Sequence, residues 1–451
     1  MTSRERESTT IGALLAKYGG SVKTGPFGTA LKAKEYSKDG VYLISVGEIG
    51  YGTFRISDST PRVPKEVTDR LPEYLLQTND IVFGRKGGVD RSAIIKPEQS
   101  GWFLGSDGIR LRLPETCSAD FIAYQLQSVS SRDWIIQHAT GTTMASLNQE
   151  VISRIPIILP PIDEQRRIAQ ILGTLDDKIE LNRQLNATLE QMARTLFQSW
   201  FVDFDPVRAK AIGELEESIC RRLGLTPELL ALFPAALEDS VIGEIPVGWE
   251  VKTVEELAKR IAMGPFGSSI KVSTFVSDGV PVISGQHLRT FILEDSTFNF
   301  VTEEHAEKLN KAAVYKGDIV FTHAGNIGQV ALIPDGSKYD KYILSQRQFF
   351  LRPDSTLISA NYLVYHFNSS VGQHQILANA SSSGVPSIAR PVSYLRSIKV
   401  LSPAKIILDE FDSLITPIHA LIEENRAEIK TLSSLRDELL PKLLSGDIRL
   451  K

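Results

Sequence analysis

The chain has 451 residues, of which 42% are hydrophobic and 23% are charged, a composition that excludes overall disorder and accommodates two or three packed domains. Two cysteines are too few for a disulfide framework or a multi-cysteine metal site. No apolar run approaches the roughly 18 residues that span a bilayer, and the polar start MTSRERESTT is unlike a signal peptide, so we expect a soluble, cytoplasmic protein. The net charge of −4 argues against coating nucleic acid through bulk positive charge.

Short β-branched and aromatic runs, bounded by Gly, Pro, Asn and Asp, come first along the chain and predict strands of a mixed α/β domain. Runs of the same kind return in the same order in the second half. They are VYLISVG, DIVFG and AIIKP at 41–47, 80–84 and 93–97, and VPVISG, DIVFTHAG and QVALIP at 280–285, 318–325 and 329–334.

The two halves of the chain also share motifs at a nearly constant offset. GPFG at 25–28 is followed by Lys32, and GPFG at 264–267 is followed by Lys271. Each half is about 200 residues or longer, far beyond the repeat length of a solenoid, so the pattern predicts duplication of a whole domain. Further matched positions are Leu111-Arg112 with Leu351-Arg352, and Ser146 with Ser387.

Each half ends in a long helical pattern, at 162–201 and at 404–444. Apolar residues recur there three and four positions apart, with one polar gap at Asn182 in the first and Asn425 in the second. This narrow seam is typical of paired helices, so we predict an antiparallel coiled coil whose facing asparagines set its register. Two independent surface helices are the alternative. The predicted seam positions are Ile168, Leu172, Leu175, Ile179, Leu185, Leu189, Met192 and Leu196, and Phe411, Ile415, Ile418, Ile422, Ile429, Leu432, Leu435, Leu439 and Leu443.

A helix of about 40 residues is about 60 Å long, because each residue adds about 1.5 Å. A paired rod of that length predicts a spacer between two duplicated domains related by an approximate two-fold axis. Two matched domains held at a fixed separation suit a long, regular polymer such as DNA.

The segment at 211–245 has no counterpart after the second helix. It holds seven acidic and two basic residues. We interpret it as a linker that returns the chain to the second domain, rather than as a partner site.

A series of motifs marks the chain from its first half to its last residues. They are the two GPFG turns, LPPIDEQRRIA at 159–169, WFVDFDP at 200–206, GDIVF at 317–321 and LLPKLLSGDIRL at 439–450. In order and content they resemble the specificity subunits of Type I restriction-modification systems over nearly the whole chain. One departure is LSPAK at 401–405, which lacks the Pro-Pro and Glu-Gln-Arg-Arg that open the first helix, so we expect the two helices to dock partners differently.

The resemblance implies a non-catalytic, DNA-binding subunit that reads an asymmetric bipartite site, one half through each target recognition domain. It implies three kinds of partner: double-stranded DNA, two methyltransferase subunits docked on the helices, and two restriction subunits that translocate DNA. S-adenosylmethionine would bind the methyltransferase, ATP and Mg the restriction subunits, and no cofactor this chain. The assembled complex would be an ATP-dependent Type I deoxyribonuclease and adenine methyltransferase. The expected domains are a first recognition domain at 1–160, a helical region at 161–205, an acidic linker at 206–245, a second recognition domain at 246–403 and a second helical region at 404–451.

Motifs for catalysis are missing, which agrees with a non-catalytic role. Adenine methyltransferases need an Asn/Asp-Pro-Pro-aromatic loop, but the nearest match, LPPI at 159–162, has no polar residue to accept from the target amine. No G-x-x-x-x-G-K-[ST] loop is present for ATP, and the histidines lack the spacing of a zinc site. We therefore expect no catalytic, metal-binding or cofactor-binding residue.

Local charge and loop divergence indicate where DNA would bind. No acidic residue occurs at 355–408, where Arg390 lies, and 81–112 holds six basic against three acidic residues; such patches suit phosphates, although solvated loop charge is the alternative for any one residue. After the shared DIVF strand the loops diverge, which predicts two different half-sites. Arginine and lysine suit guanine, and asparagine and glutamine suit adenine. The candidate base readers are Arg85, Lys86, Arg91, His323, Asn326 and Gln329.

The GPFG turns, with Lys32 and Lys271, are candidates for positioning the DNA backbone, because glycine permits close approach and lysine acts as a point charge. A shared structural turn is the competing explanation. For the whole chain, the alternatives are a coiled-coil scaffold that assembles proteins without reading DNA, which the net acidity favours, and a specificity subunit of a modification-only or phage-exclusion system.

Overall fold

The structure, a computed structural model, describes residues 6–28, 30–141, 144–267, 269–295, 297–381 and 384–448. The chain forms two compact units, the first made of Met1–Leu181 with Glu428–Lys451 and the second of Asn182–Ala427. Both long helices pass from one unit into the other, so each unit contains part of each helix. Within the described ranges, no helix is long and apolar enough to cross a membrane.

The first unit is a mixed α/β fold, as predicted. Its strands are β1 (Glu7–Thr10), β2 (Ser21–Thr24), β3 (Val41–Ile44), β4 (Tyr51–Gly52), β5 (Arg62–Val63), β6 (Ile81–Gly84), β7 (Ser92–Ile94), β8 (Phe103–Leu104), β9 (Gly108–Arg112) and β10 (Pro156–Leu159). Its helices are α1 (Ile11–Tyr18), α2 (Lys65–Arg70), α3 (Ala119–Gln127), α4 (Val129–His138), α5 (Gln149–Arg154) and the first part of α6 (Ile162–Phe201).

Two small sheets form the frame of this unit, a five-stranded sheet in the order β2-β9-β6-β7-β4 and a three-stranded sheet in the order β5-β3-β8. The central strand β6 is buried on both faces. Ile81 and Phe83 belong to one apolar cluster and Val82 to another, which explains why this strand reads as a continuous apolar run instead of an alternating one.

The second unit repeats this plan and adds elements before it. Its strands are β11 (Leu237–Ser240), β12 (Gly243–Pro246), β13 (Glu250–Thr253), β14 (Ala258–Met263), β15 (Val280–Ile283), β16 (Asn299–Val301), β17 (Ala313–Val314), β18 (Ile319–Thr322), β19 (Val330–Leu332), β20 (Tyr342–Leu344), β21 (Gln348–Pro353), β22 (Ala380–Ser381), β23 (Ser387–Ile388) and β24 (Lys399–Ser402). Its helices are α7 (Asp205–Ala211), α8 (Glu216–Leu223), α9 (Pro227–Ala231), α10 (Glu303–Lys308), α11 (Ala360–Asn368), α12 (Ser370–Leu377), α13 (Pro391–Ser397) and α14 (Lys405–Ser445).

Strand order confirms the duplication. The sheet β14-β21-β18-β19 corresponds to β2-β9-β6-β7, and the parallel pair β15·β20 corresponds to the parallel pair β3·β8. The short antiparallel ladder β1·β10 likewise has a counterpart in β13·β24. The two units therefore share one scaffold, and differences between them lie in loops and side chains.

The acidic segment before the second unit's first sheet is folded. It contains α7, α8, α9 and the β11·β12 hairpin. Ile219, Leu230 and Phe233 are buried in the same apolar cluster as Phe411 of α14. The segment connects the two repeats, as predicted, and it also extends the core of the second unit.

The long helices pair with each other, as predicted, and run antiparallel within each unit. In the first unit, Ile168 and Leu172 of α6 share a cluster with Leu443 near the end of α14. In the second unit, Phe197 near the end of α6 packs on Phe411 near the start of α14, with ring centroids 6.1 Å apart.

The seam between these helices differs from the prediction in its second part. Leu185, Met192 and Leu435 were expected in the seam but are 39%, 57% and 42% exposed. Beyond Asn182 in α6 the predicted Leu189 is buried, and so are five residues that the pattern did not include, Asn186, Ala193, Phe197, Trp200 and Phe201. Asn186 takes a seam position although it is polar. The buried face of α6 therefore includes positions 186 and 193, each one residue after the predicted Leu185 and Met192.

Two asparagines meet across the seam, and Asn425 is paired there with Asn186. Asn425 Nδ2 donates to Asn186 Oδ1 at 2.8 Å, and Asn186 Nδ2 donates to the carbonyl of Ile422 at 3.4 Å. Both side chains are buried. A paired amide at one seam position specifies register at some cost in stability.

The asparagine pair gives a test by double substitution. We expect Asn425→Leu alone to lower the free energy of unfolding by about 1–3 kcal/mol, because it leaves the buried Oδ1 of Asn186 without its donor. The double variant N186L/N425L removes both polar groups, and we expect it to be close to wild type or more stable. Urea unfolding of Asn186→Leu, Asn425→Leu and the double variant measures this. A double variant whose loss equals the sum of the single losses would contradict the pairing.

A buried ion pair anchors the central strand in each unit. Arg112 donates through Nε and Nη2 to Asp80, both at 2.7 Å, and Arg352 donates likewise to Asp318 at 2.7 and 2.6 Å. Each aspartate is 1% exposed and lies just before β6 or β18. These bidentate pairs join neighbouring strands at the opposite end from the loops that follow β6 and β18.

Candidate nucleic-acid interface

In the first unit, four loops meet at the end of the larger sheet, where β6 ends and β9 begins. Main-chain hydrogen bonds of 2.8–3.0 Å join them. We call residues 25–28, 84–91, 105–108, 140–141 and 144–147 the first loop cluster. The bonds run from Gly25 N to Gly108 O, Arg85 N to Asp107 O, Gly87 N to Ala145 O, and Leu147 N to Arg85 O.

The second unit builds the same arrangement at the end of β18. We call residues 264–267, 322–329, 345–348, 381 and 384–388 the second loop cluster. Each main-chain bond of the first cluster has a counterpart here, at 2.8–2.9 Å. The bonds run from Gly264 N to Gln348 O, His323 N to Arg347 O, Gly325 N to Pro386 O, and Ile388 N to His323 O.

The GPFG turns are tight structural contacts within these clusters. A Cβ on Gly25 would lie 1.8 Å from the carbonyl oxygen of Gly105, and a Cβ on Gly264 would lie 2.1 Å from that of Ser345. Only glycine fits such an approach, which supports the structural explanation of the motif. The turns also expose an aromatic ring, because Phe27 is 55% and Phe266 is 84% exposed.

Lys32 and Lys271 lie beyond these turns, each just before a short 3-10 turn, and both are exposed. Their main-chain N–H groups are used locally: that of Lys32 donates to Glu35 Oε2 and that of Lys271 to Thr274 Oγ1. Contact of the two ammonium groups with DNA phosphates stays a prediction.

Arg85 and Lys86 lie together at the tip of the first loop cluster. The guanidinium of Arg85 stacks over the Phe27 ring, 4.3 Å from its centroid, and Nη1 donates to the carbonyl of Ser106 at 3.2 Å. Lys86 Nζ is 3.8 Å from Asp107 Oδ1. These contacts hold the two cations near each other while leaving the Lys86 side chain 48% exposed.

Arg91 lies apart from them, at the far end of the same loop. Its guanidinium carbon is 6.0 Å from the Tyr51 ring centroid, and its Nε is buried without a hydrogen-bond partner among the described residues. Arg132 and Tyr51 both donate to Asp90 Oδ2, at 2.7 and 2.9 Å. Burial alone would raise the pKa of Asp90, but these hydrogen bonds lower it below its ordinary value. Asp90 therefore stays charged and fixes this end of the loop.

The predicted DNA-binding side chains of the second unit differ in how far they are exposed and in whether they already have a partner. His323 Nε2 is 3.1 Å from the carbonyl of Gln346, and Gln329 Oε1 accepts from Thr322 Oγ1 at 3.3 Å. Asn326 is exposed at the loop tip. Arg390 is exposed two residues after β23, with φ of +43° before α13. Of these side chains, Asn326 and Arg390 are thus the most accessible, and the role of each stays a prediction.

Three further residues lie in these clusters although no sequence pattern pointed to them, namely Arg347, Phe27 and Phe266. Arg347 is exposed in the loop between β20 and β21 and belongs to the second loop cluster through its carbonyl. Arg112 corresponds to Arg352 in the two repeats. Counting back five residues from each would have matched Arg347 with Asp107. Among the described residues, no group of three or more His, Cys, Asp or Glu side chains is arranged to hold a metal ion.

Comparison with known proteins identifies relatives of both halves. Residues 26–191 and 246–431 each match the Type I restriction modification DNA specificity domain. The chain is 30% identical over 346 residues to the Type I restriction enzyme HindI specificity subunit of Haemophilus influenzae, covering 70% of this chain and 73% of that protein. It is 23% identical over 343 residues to the MjaIX specificity subunit of Methanocaldococcus jannaschii, covering 74% and 70%.

A solved structure shows the same fold. The crystal structure of the Type-I restriction-modification system S subunit from M. genitalium superposes with a TM-score of 0.60 at 15% identity, covering 100% of this chain and 98% of that one. At this identity the likeness concerns the fold, including the two repeats and the long helices.

Proposed function

This chain belongs to the Type I restriction modification DNA specificity family, and from that premise we propose that it selects a bipartite DNA sequence, one half through each loop cluster. The observation that carries the proposal is a shared main-chain framework with different side chains on it. Arg85 and Lys86 stand where the second unit has His323 and Ala324. Because different side chains read different base edges, the two half-sites differ and the whole site is asymmetric.

The chemistry of the exposed side chains supports base and phosphate contacts. The guanidinium of Arg85 carries donors in a planar fork that matches the two acceptors of guanine, and the amide of Asn326 matches adenine. Four further cations would contact DNA phosphates through an ammonium or a guanidinium group: Lys32, Lys86, Lys271 and Arg390. Arg91, His323 and Gln329 already have partners or are half-buried, so in this proposal they shape the loops around the readers.

The partners and cofactors follow from the family. Two methyltransferase subunits would dock on the long helices and two restriction subunits on the larger complex, with S-adenosylmethionine, ATP and Mg held by those partners and no catalytic step in this chain. Exposed apolar side chains on the helices support such docking: within the second unit, Met192 of α6 is 57% exposed, and Leu414 and Leu421 of α14 are 41% and 38% exposed. These positions lie outside the seam that pairs the helices.

The direct test is to co-express the chain with the methyltransferase subunit encoded beside it and to map methylated adenines across the host genome by single-molecule sequencing. We expect a split, asymmetric motif with an unspecified middle. Binding of the purified complex to that motif should weaken steeply with salt, by about 0.9 in the logarithmic slope for each phosphate contacted.

Two other results bear on the alternatives, and only the first would contradict the recognition role. Sequence-blind association that is insensitive to salt would favour the scaffold alternative. A stable, sequence-specific complex without methylation would keep the recognition role and favour an effector system other than modification.

A further inference from the structure

We propose that Arg347 reads a guanine in the second half-site, the role that Arg85 takes in the first. This inference rests on the proposed function, because it assumes that both loop clusters face DNA bases. It assigns a specificity-determining role to a residue in the loop between β20 and β21, not in the loop after β18 where the second unit's readers were expected.

Residues of the two loop clusters correspond one to one. Arg85 N donates to Asp107 O at 2.8 Å, and His323 N donates to Arg347 O at 2.9 Å. The strand registers agree, because Gly84 pairs with Gly108 and Thr322 pairs with Gln348. Position 85 thus matches 323, and position 107 matches 347.

The side chains at the first matched position also make the same bond. Arg85 Nη1 donates to the carbonyl of Ser106 at 3.2 Å, and His323 Nε2 lies 3.1 Å from the carbonyl of Gln346, the residue matched to Ser106. Since a carbonyl only accepts, His323 carries its proton on Nε2 in this contact.

That bond has different consequences for the two side chains. Arginine has five N–H donors, so Arg85 keeps most of them after the contact with Ser106. A neutral imidazole has one N–H, which His323 uses on Gln346, so only its Nδ1 acceptor is left for a base. Guanine presents two acceptors in the major groove and needs donors. His323 therefore does not replace Arg85 as a guanine reader.

The second unit has N–H donors for guanine at the position that corresponds to Asp107. The first unit has the acidic Asp107 there, paired with Lys86 at 3.8 Å, whereas the second unit has Arg347. Arg347 is exposed, and the described residues give it no ion pair. Its Nη1 lies 3.3 Å from the place that a Cβ on Gly325 would occupy, so the guanidinium lies against the loop after β18.

The arginine has therefore changed sides between the two units, from the strand before the first matched position to the strand after the second. The first unit carries arginine on the β6 side and an acid on the β9 side, and the second carries histidine on the β18 side and arginine on the β21 side. In both units one guanidinium fork is presented at the same end of the sheet.

The experiment uses the full chain in complex with its methyltransferase subunit and a set of duplexes in which each base pair of the mapped site is changed in turn. Wild type should prefer guanine at one position of the second half-site by about 5- to 150-fold. Arg347→Ala should abolish that preference and leave every position of the first half-site unchanged. Arg85→Ala should do the reverse.

Two further variants separate base reading from other effects. Arg347→Lys keeps the charge without the planar fork, so it should weaken the guanine preference while keeping the salt slope. Arg221→Ala, in α8 of the same unit, is the matched control because Arg221 is exposed and lies outside the loop cluster; it should change nothing.

The outcomes distinguish the two levels of the argument. If Arg347→Ala weakens binding to all duplexes equally and the second half-site keeps its preferences, Arg347 contacts phosphate and the inference is overturned. If wild type itself shows no position-dependent preference, the proposed function fails, whatever the variants do.

Discussion

Asp318→Ala is expected to lower the free energy of unfolding of the second unit by about 3–5 kcal/mol, the range for removing one partner of a buried ion pair. Burial raises the pKa of Asp318 above its ordinary value, although the guanidinium of Arg352 opposes this shift. The carboxylate therefore carries a desolvation cost that the ion pair offsets only in part. Removing it leaves the Arg352 guanidinium and the Tyr315 N–H without their acceptor.

Urea unfolding of the variant measures this loss, and the chain offers two matched comparisons. Asp80→Ala removes the corresponding carboxylate from the first unit and should have a similar effect there. Glu304→Ala breaks the exposed pair with Lys308, whose side chains are 81% and 70% exposed, and should change the stability little. A loss for Asp318→Ala no larger than that for Glu304→Ala would show that the buried pair does not anchor β18.

Acidification is expected to destabilise the second unit through two buried histidines. His366 and His419 are 8% and 5% exposed, and burial lowers the pKa of each from 6.5 to about 4, with the charge of Arg426 adding to the shift of His419. Both rings stay neutral in the folded chain while the unfolded chain takes up protons below pH 6.5. Stability is therefore present above pH 6.5 and is lost as the pH falls toward 4, by about 3 kcal/mol for each histidine.

Hydrogen exchange followed by mass spectrometry at pH 7, 6, 5 and 4.5, corrected for intrinsic exchange rates, locates the loss. The first unit offers an internal comparison, because Gln125 and Asp176 stand where the second has His366 and His419; Tyr124 OH donates to Asp176 at 2.7 Å, as Tyr365 OH meets His419 Nε2 at 2.9 Å.

The matched variant is His366→Gln, which copies Gln125 and can still bond Gln375, the present partner of His366 at 2.9 Å. It should remove about half of the pH dependence of the second unit. Equal protection of the second unit at pH 7 and pH 4.5 would contradict the prediction.

Much of the fold could be predicted from the sequence, for reasons that are local. The apolar run at Ile81–Phe83 and its copy at Ile319–Phe321 are flanked by turn residues, and the helical periodicity of 162–201 is interrupted by no proline. The seam was harder, since the burial of Asn186 and Ala193 in place of Leu185 and Met192 depends on how α14 packs, which hydropathy alone does not encode. The fold of the acidic segment was also hard to predict from hydropathy. Its charges lie on the surface of short helices, and only a few apolar residues of these helices reach the core.

The candidate site could be predicted in part. Arg85 and Lys86 follow a recognisable strand, and their position at a loop tip follows from the duplication. Arg347 could not be found in the same way, because its place beside His323 depends on the pairing register of β18 with β21, a contact between residues far apart in the chain. The half-buried position of Arg91 depends on Tyr51 and Arg132 in the same manner.

The main-chain bonds that hold each loop cluster together have a consequence for how such proteins acquire new targets. The bonds from position 85 to 107 and from 323 to 347 are made by peptide groups, which every residue except proline supplies. The side chains at these positions are not needed for these bonds. Under the proposed function, we expect substitutions there to change one half-site at a time with little penalty to folding, while the other repeat keeps its own specificity.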